Sequence, residues 1–99
     1  MSFPRLSEKE YLILDLLRAG AERFGLEMVK ESHGSLRRGT IYVTLSRMVD
    51  KGYVRSRQEK DSKDPGMPRR LYAITGEGVR ALRAIDAALA ASTMGEVDA

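Results

Sequence analysis

The spacing of apolar residues changes period once along this chain and then changes back, and this constrains the fold more than any other feature. Up to Gly52 the apolar residues recur at helical intervals. Residues 53–59 alternate in character as a strand does, and RRLYAI at 69–74 forms a second strand after the polar stretch KDSKDPGMP. Helical spacing then returns. The pattern predicts helices on both sides of one β-hairpin.

Four helices are marked by residues that favour helix ends. Ser7 and Glu10 predict a capping box at the start of the first. Gly52 favours the end of the third, and Thr75 is a cap for the fourth. On the third helix the spacing places Ile41 on a buried face, with the opposite face turned to solvent or to a ligand. The four helices are predicted over residues 7–18, 26–32, 40–51 and 75–91.

The resulting order is three helices, a strand, a long basic hairpin, a strand and a helix. A chain of 99 residues has room for one such domain. The order predicts a mainly α fold with a small β-hairpin (α+β), that is, a winged helix-turn-helix domain plus a C-terminal dimerisation helix. The expected boundaries are residues 1–75 for the winged helix-turn-helix domain, 76–91 for the helix and 92–99 for a disordered tail.

Composition excludes several function classes. The chain has no Cys and one His, so disulfides, thiolate metal sites and Cys nucleophiles are excluded, and we expect no metal and no cofactor. No apolar run approaches the roughly 18 residues of a membrane span, and the N-terminus is unlike a signal peptide. No nucleophile triad or phosphate-binding glycine loop is present. We therefore expect a cytoplasmic protein that is not an enzyme.

Positive charge is concentrated in the middle of the chain. Residues 35–83 hold 12 basic against 5 acidic side chains, whereas residues 1–34 and 84–99 are net acidic. This is the part of the chain where a polyanion would bind.

The third helix and the hairpin together predict an interface with double-stranded DNA. A helix in the major groove reads base edges, while nearby cations contact phosphates. On this basis Arg47 is the best candidate for a guanine contact, and Thr40 and Thr44 are candidates for a phosphate or a thymine methyl. The predicted DNA-binding residues are Arg37, Arg38, Thr40, Tyr42, Val43, Thr44, Arg47, Lys60, Lys63, Arg69 and Arg70.

Two other interpretations stay open. The arginines could form a solvated face, with Arg69 and Arg70 protecting a hairpin edge. The domain could also be a winged-helix protein-interaction module without DNA binding, which would favour an apolar or acidic outer face on the third helix and a short, uncharged hairpin. RNA binding is a weaker alternative, because no aromatic stacking platform is evident.

Four segments together resemble the PadR family of transcriptional regulators: LSEKEYLILDLL, GLEMVKES, SLRRGTIYVTLSRMVDKGYVRSR and PRRLYAITGEGVRAL. The resemblance covers about residues 6–91. It implies a bacterial, homodimeric, winged-helix repressor. It also places Thr40 and Tyr42 in a G-T-x-Y signature whose tyrosine tends to face DNA. From the residues alone, Tyr42 could equally be a half-buried core residue with its hydroxyl at the rim.

A homodimer is also predicted from the residues themselves. The first helix is apolar on nearly every side, and the apolar arc of the last helix is wider than one small core can cover. The predicted interface residues are Leu12, Leu16, Val79, Leu82, Ile85 and Leu89. A two-fold dimer predicts a palindromic operator. A small-molecule effector between the terminal helices is not favoured, since the last helix has no aromatic residue.

Overall fold

A computed structural model of the chain describes residues 6–59 and 69–97, the last five by their backbone alone. Within these residues, helices surround a small antiparallel sheet, which confirms the predicted mainly α fold. The elements are α1 (Glu8–Leu16), β1 (Arg23–Phe24), α2 (Gly25–Glu31), α3 (Ile41–Asp50), β2 (Val54–Gln58), β3 (Arg70–Ile74) and α4 (Gly76–Val97).

The ends of α1 and α3 lie close to where the sequence predicts them. At α1, the Glu10 N–H donates to Ser7 Oγ at 3.1 Å and the Ser7 N–H donates to Glu10 Oε1 at 3.0 Å, which is the predicted capping box. At α3, Gly52 follows the helix with a φ of +82°, a left-handed conformation that glycine adopts without strain. The chain can therefore turn directly from α3 into β2.

The sheet contains one strand that the sequence analysis missed. β1 pairs with β3, so the order across the sheet is β1-β3-β2. In this pairing Arg23 lies opposite Tyr72 and Phe24 lies opposite Leu71. A two-residue strand has no alternation to detect, and its pairing depends on β3, almost 50 residues later in the chain. The predicted two-stranded hairpin is thus part of a three-stranded sheet.

One apolar core joins the helices to the sheet. Residues from α1, α2, α3, β2, β3 and α4 all contribute to it, and the loop before α3 adds Leu36. Burying these side chains contributes most of the favourable free energy of folding in a domain of this size. The core residues are Ile13, Leu14, Leu17, Met28, Leu36, Ile41, Leu45, Met48, Val54, Tyr72 and Leu82.

The start of α4 is fixed against the turn between α3 and β2. Thr75 Oγ1 accepts from the Gly78 N–H at 3.0 Å, as a helix cap does, and donates to the Gly52 carbonyl at 2.6 Å. A Cβ on Gly78 would lie 2.2 Å from the Tyr53 carbonyl oxygen. The helix therefore approaches the backbone of this turn as closely as only a glycine allows.

The predicted end of α4 is wrong. The helix continues from Ala91 to Val97, so most of the stretch expected to be a disordered tail is helical, and residues 98–99 lie outside the described part. An alanine-rich run with no proline after it favours a helix, and adding residues to an existing helix costs little.

Candidate nucleic-acid interface

One side of α3 packs into the core and the other faces outward. Ile41, Leu45 and Met48 are each at most 1% exposed, which confirms the predicted buried arc. Val43 is 56% exposed, and Arg47 lies one turn further along the same outer surface. Burial on one side therefore fixes which side chains α3 can present to a ligand.

Arg37 and Arg38 are exposed in the loop that precedes α3. Leu36 is 3% exposed and anchors this loop in the core, and its backbone N–H donates to Ser32 Oγ at 2.9 Å. The Arg37 carbonyl accepts the Ile41 N–H at 3.0 Å, at the first residue of α3. The loop thus holds two cations at the N-terminal end of the helix, where the helix dipole also favours an anion.

Thr40 and Thr44 differ in whether their hydroxyl groups are available to a ligand. Thr40 occupies the N-cap position of α3, is exposed, and makes no side-chain capping hydrogen bond. Thr44 is half-buried, and its Oγ1 donates to the Thr40 carbonyl at 3.2 Å. The Thr40 hydroxyl is therefore the better placed of the two to contact a ligand.

Tyr42 is 48% exposed, and the edge of its ring lies over the start of α2. A Cβ on Gly25 would come within 2.9 Å of Tyr42 Cε1, so the ring occupies space that only a glycine leaves. Burial raises the pKa of the neighbouring Tyr72, and the Tyr42 hydroxyl raises it further. The packing of the ring on α2 agrees with the half-buried interpretation, and the DNA-facing interpretation of the accessible half stays a prediction.

The base of the hairpin places Arg69 and Arg70 on the surface, and both already have contacts within the chain. The Arg69 guanidinium lies 4.7 Å from the centre of the Phe24 ring and 3.6 Å from a Glu59 carboxylate oxygen. Arg70 Nη1 donates to Ser56 Oγ at 3.3 Å. Both side chains are exposed, but they are more constrained than the sequence suggested. Lys60 and Lys63, at the predicted tip, lie outside the described residues.

Within the described part of the chain, the arginines at and before α3 lack acidic partners. Among residues 6–59 and 69–97, no ion pair involves Arg37, Arg38 or Arg47. The basic residues that do form ion pairs in that part of the chain are Arg18, Arg23, Lys51, Arg57, Arg69 and Arg80. We call Arg37, Arg38 and Arg47 the unpaired arginines.

Sequence reasoning left one exposed cation out of the candidate surface. Arg55 lies on β2, beside Arg57, which donates to a Glu22 carboxylate oxygen at 2.6 Å. Hydrogen bonds from Arg57 are the main reason why the pKa of Glu22 is lowered, and the nearby Arg55 charge adds to this. Alternation places Arg55 and Arg57 on one face of the strand, opposite the buried Val54, and that pattern was the signal for a basic strip on β2.

The predicted dimer residues fall into two groups. Leu82 is 2% exposed in the core of its own chain, so its expected place in an interface is corrected to an internal one. Leu89 is 55% exposed, on the part of α4 beyond the body of the domain. Half-burial leaves accessible surface on the remaining candidates, Leu12, Leu16, Val79 and Ile85.

The described residues show no sign of a metal site or of a membrane span. They contain no group of three or more His, Asp or Glu side chains placed to hold a metal ion. In that same part of the chain, no helix combines the length and apolar character needed to cross a bilayer.

A helix with an exposed outer face, preceded by two other helices and followed by a two-stranded hairpin, is the winged-helix DNA-binding fold. The chain belongs to the PadR-like family of transcriptional regulators, whose family model matches residues 13–84. No protein of curated function matches the sequence at a significant level.

Solved structures of PadR regulators share this fold. One from Clostridium difficile superposes with a TM-score of 0.70 at 24% identity, covering 90% of this chain and 96% of the other. One from Eggerthella lenta gives 0.72 at 27% identity, covering 89% and 77%. Bacillus subtilis PadR, solved in complex with operator DNA, gives 0.68 at 26% identity, covering 81% of this chain but 46% of that protein.

Proposed function

We propose that this protein is a sequence-specific transcriptional regulator that binds double-stranded DNA as a homodimer on a palindromic operator, and that it acts as a repressor by binding and not by catalysis. The observation that carries the proposal is the set of unpaired arginines at and before the exposed face of α3. Family membership and the operator complex of Bacillus subtilis PadR support it.

Charge favours DNA over a protein partner. The outer side of α3 carries Arg47 and is preceded by Arg37 and Arg38, with no acidic partner for any of them in the described part of the chain. Unpaired guanidinium groups suit phosphate oxygens and guanine edges, since both accept two hydrogen bonds in a plane. An interaction module without DNA binding would more often neutralise such charges internally or replace them.

The length of α4 supports the homodimer. At 22 residues the helix extends about 33 Å, while its contacts with the core come from its first turns, around Leu82. Beyond Asp86, Leu89 is 55% exposed and Ala88 is half-buried. Packing this part against the same part of a second copy would cover it, and a two-fold axis would set the two α3 helices about one DNA turn, roughly 34–36 Å, apart.

The experiment that tests the proposal is selection of bound duplexes from a random pool, followed by sedimentation of the protein alone and with the selected duplex. We expect two inverted half-sites about 10 base pairs apart, a dimer in both samples, and affinity that falls by orders of magnitude between low and moderate salt. A promoter carrying the selected site should be repressed in a reporter strain. Failure to enrich any duplex would contradict the proposal and favour the interaction module.

A further inference from the structure

Val43 is the most exposed large apolar side chain of α3, at 56%, and it lies on the surface that the proposed function assigns to DNA. A solvent-exposed valine stabilises neither the helix nor the core, because β-branched residues are poor helix formers and this one is mostly outside the core. Val43 is thus an exposed apolar side chain beside the unpaired arginines, and neither helix stability nor core packing accounts for it.

Its position relative to Arg47 is defined by the helix. Val43 and Arg47 are four residues apart, so they lie on one side of α3 about 6 Å apart along its axis. That spacing corresponds to just under two base-pair steps of B-DNA at about 3.4 Å each. The two side chains can thus address neighbouring base pairs in one groove.

The chemistry of valine limits what it can read there. It can neither donate nor accept a hydrogen bond, so it recognises only apolar groups. Among the base edges in the major groove, the apolar group is the C5-methyl of thymine. An arginine one turn further on suits the O6 and N7 acceptors of guanine.

We propose that Val43 is a specificity-determining residue that contacts a thymine methyl group, and that together with Arg47 it selects a thymine within two base-pair steps of a guanine in each half-site. This inference rests on the proposed function, since it concerns which bases the same surface reads.

The test uses the full-length protein and the selected duplex. Each thymine of a half-site is replaced in turn by deoxyuridine, which removes the methyl group and leaves every hydrogen-bonding group in place. We expect one position to weaken binding about fourfold, the effect of losing one buried methyl, and replacement in both half-sites to weaken it about 15-fold.

Variants connect that position to Val43. With Val43→Ala the thymine and deoxyuridine duplexes should bind equally well, whereas Val43→Thr keeps one methyl group and should keep part of the difference. Ser46→Ala, on the same exposed side of α3, should leave the full difference in place. Thermal unfolding of each variant checks that the fold is retained.

Three results would overturn the inference. The wild-type protein could bind its duplex tightly with no thymine sensitive to replacement, or Val43→Ala could keep the full sensitivity, or no thymine could lie within two steps of a selected guanine. In each case duplex binding itself would still support the proposed function. If no duplex were bound at all, both proposals would fail together.

Discussion

Two groups of arginines in this protein have opposite electrostatic surroundings, while the exposed Arg55 and Arg83 belong to neither group and form no ion pair within the described residues. On the scaffold surface, Arg18 lies 2.8 Å from Asp86, Arg57 lies 2.6 Å from Glu22, and Arg23 pairs with Glu31. On the outer side of α3 and in its preceding loop, the unpaired arginines have no such partner within the described residues. Identical side chains therefore serve the fold in one region and are available to an external anion in the other.

The largest expected effect comes from removing charge on the α3 side. Replacing all three unpaired arginines by glutamine should lower affinity for the selected duplex by about 100-fold or more, and should reduce the slope of log affinity against log salt by about 2 to 3, because up to three phosphate contacts are lost. The midpoint of thermal unfolding should change little, since these side chains are exposed and form no ion pair within the described residues. Titrations at several salt concentrations measure both quantities.

The matched control is the double variant Arg23→Gln, Arg57→Gln, which removes two cations from the scaffold surface. It should keep the duplex affinity within a few-fold and lower stability slightly. Equal losses of affinity in the two variants would show that total charge matters and not its location.

Two glycines, one in each region, allow a comparison of packing instead of charge. Gly78→Ala should destabilise the fold by about 3 kcal/mol, because its Cβ would meet the Tyr53 carbonyl oxygen, part of a backbone that cannot move aside. Gly25→Ala should cost about 1 kcal/mol, since its Cβ meets the Tyr42 ring, a side chain that can rotate. Urea unfolding measures both values.

For DNA binding the order should reverse: Gly25→Ala, the less destabilising variant, should have the larger effect. Moving Tyr42 changes the outer side of α3, so Gly25→Ala should weaken duplex binding at temperatures where it is fully folded. Folded Gly78→Ala should bind normally. A Gly25→Ala protein with wild-type affinity would show that Tyr42 contributes nothing to recognition.

On the scaffold side, the ion pair between the buried Glu10 and the exposed Lys51 predicts a pH dependence. Burial raises the pKa of Glu10, but hydrogen bonds from Lys51 at 2.8 Å and from the Ser7 backbone outweigh it, so the net pKa is lowered. Since the folded chain then binds fewer protons, this contribution to stability is complete above the unfolded pKa of about 4.3 and is lost as the pH falls through the lower, folded pKa.

Glu10→Gln should therefore destabilise the protein by about 1 to 2 kcal/mol at neutral pH, and the difference from wild type should shrink as the pH falls below the unfolded pKa of about 4.3. Thermal unfolding across this pH range gives the comparison. A difference that stays constant with pH would mean that the lost packing and not the charge is responsible. DNA affinity at neutral pH should be unchanged.

The sequence predicted most of the fold because the relevant signals are local. The Ser7 capping box, the glycine after α3 and the alternation in β2 each depend on a few neighbouring residues. β1 was missed because two residues carry no period, and its existence depends on the distant partner strand β3. The end of α4 was missed because the helix continues through Gly95, a residue type that often ends helices.

In the candidate site, too, the sequence predicted the features that depend on local spacing and missed those that depend on tertiary contacts. Periodicity correctly placed Val43 and Arg47 on the outer side of α3 and Ile41 in the core. It could not show that the Thr44 hydroxyl bonds to its own helix, or that Leu82 is covered by its own chain. Which partner a side chain meets is decided by tertiary contacts between segments far apart in sequence.

The smallest expected effect comes from breaking an ion pair on the scaffold surface. Asp86 accepts a hydrogen bond from Arg18 at 2.8 Å and from the Tyr11 hydroxyl at 2.7 Å, which joins α4 to α1. These two bonds, from Arg18 first and then Tyr11, lower the pKa of Asp86. Because Arg18 is 46% exposed, solvent screens the pair, and Asp86→Asn should lower the stability measured by urea unfolding only slightly.

The control is Glu77→Gln, which breaks the pair with Arg80 at the surface of α4, where both side chains are about two-thirds exposed, and should cost close to nothing. Arg18 also lies 2.9 Å from Asp15, so Asp86→Asn combined with Asp15→Asn takes both carboxylate partners away from Arg18 without adding a cation near α3. If position decides function, duplex affinity should stay at the wild-type value. A clear gain in affinity would show instead that any arginine released from its partner can bind DNA, and the distinction between the two surfaces would no longer hold.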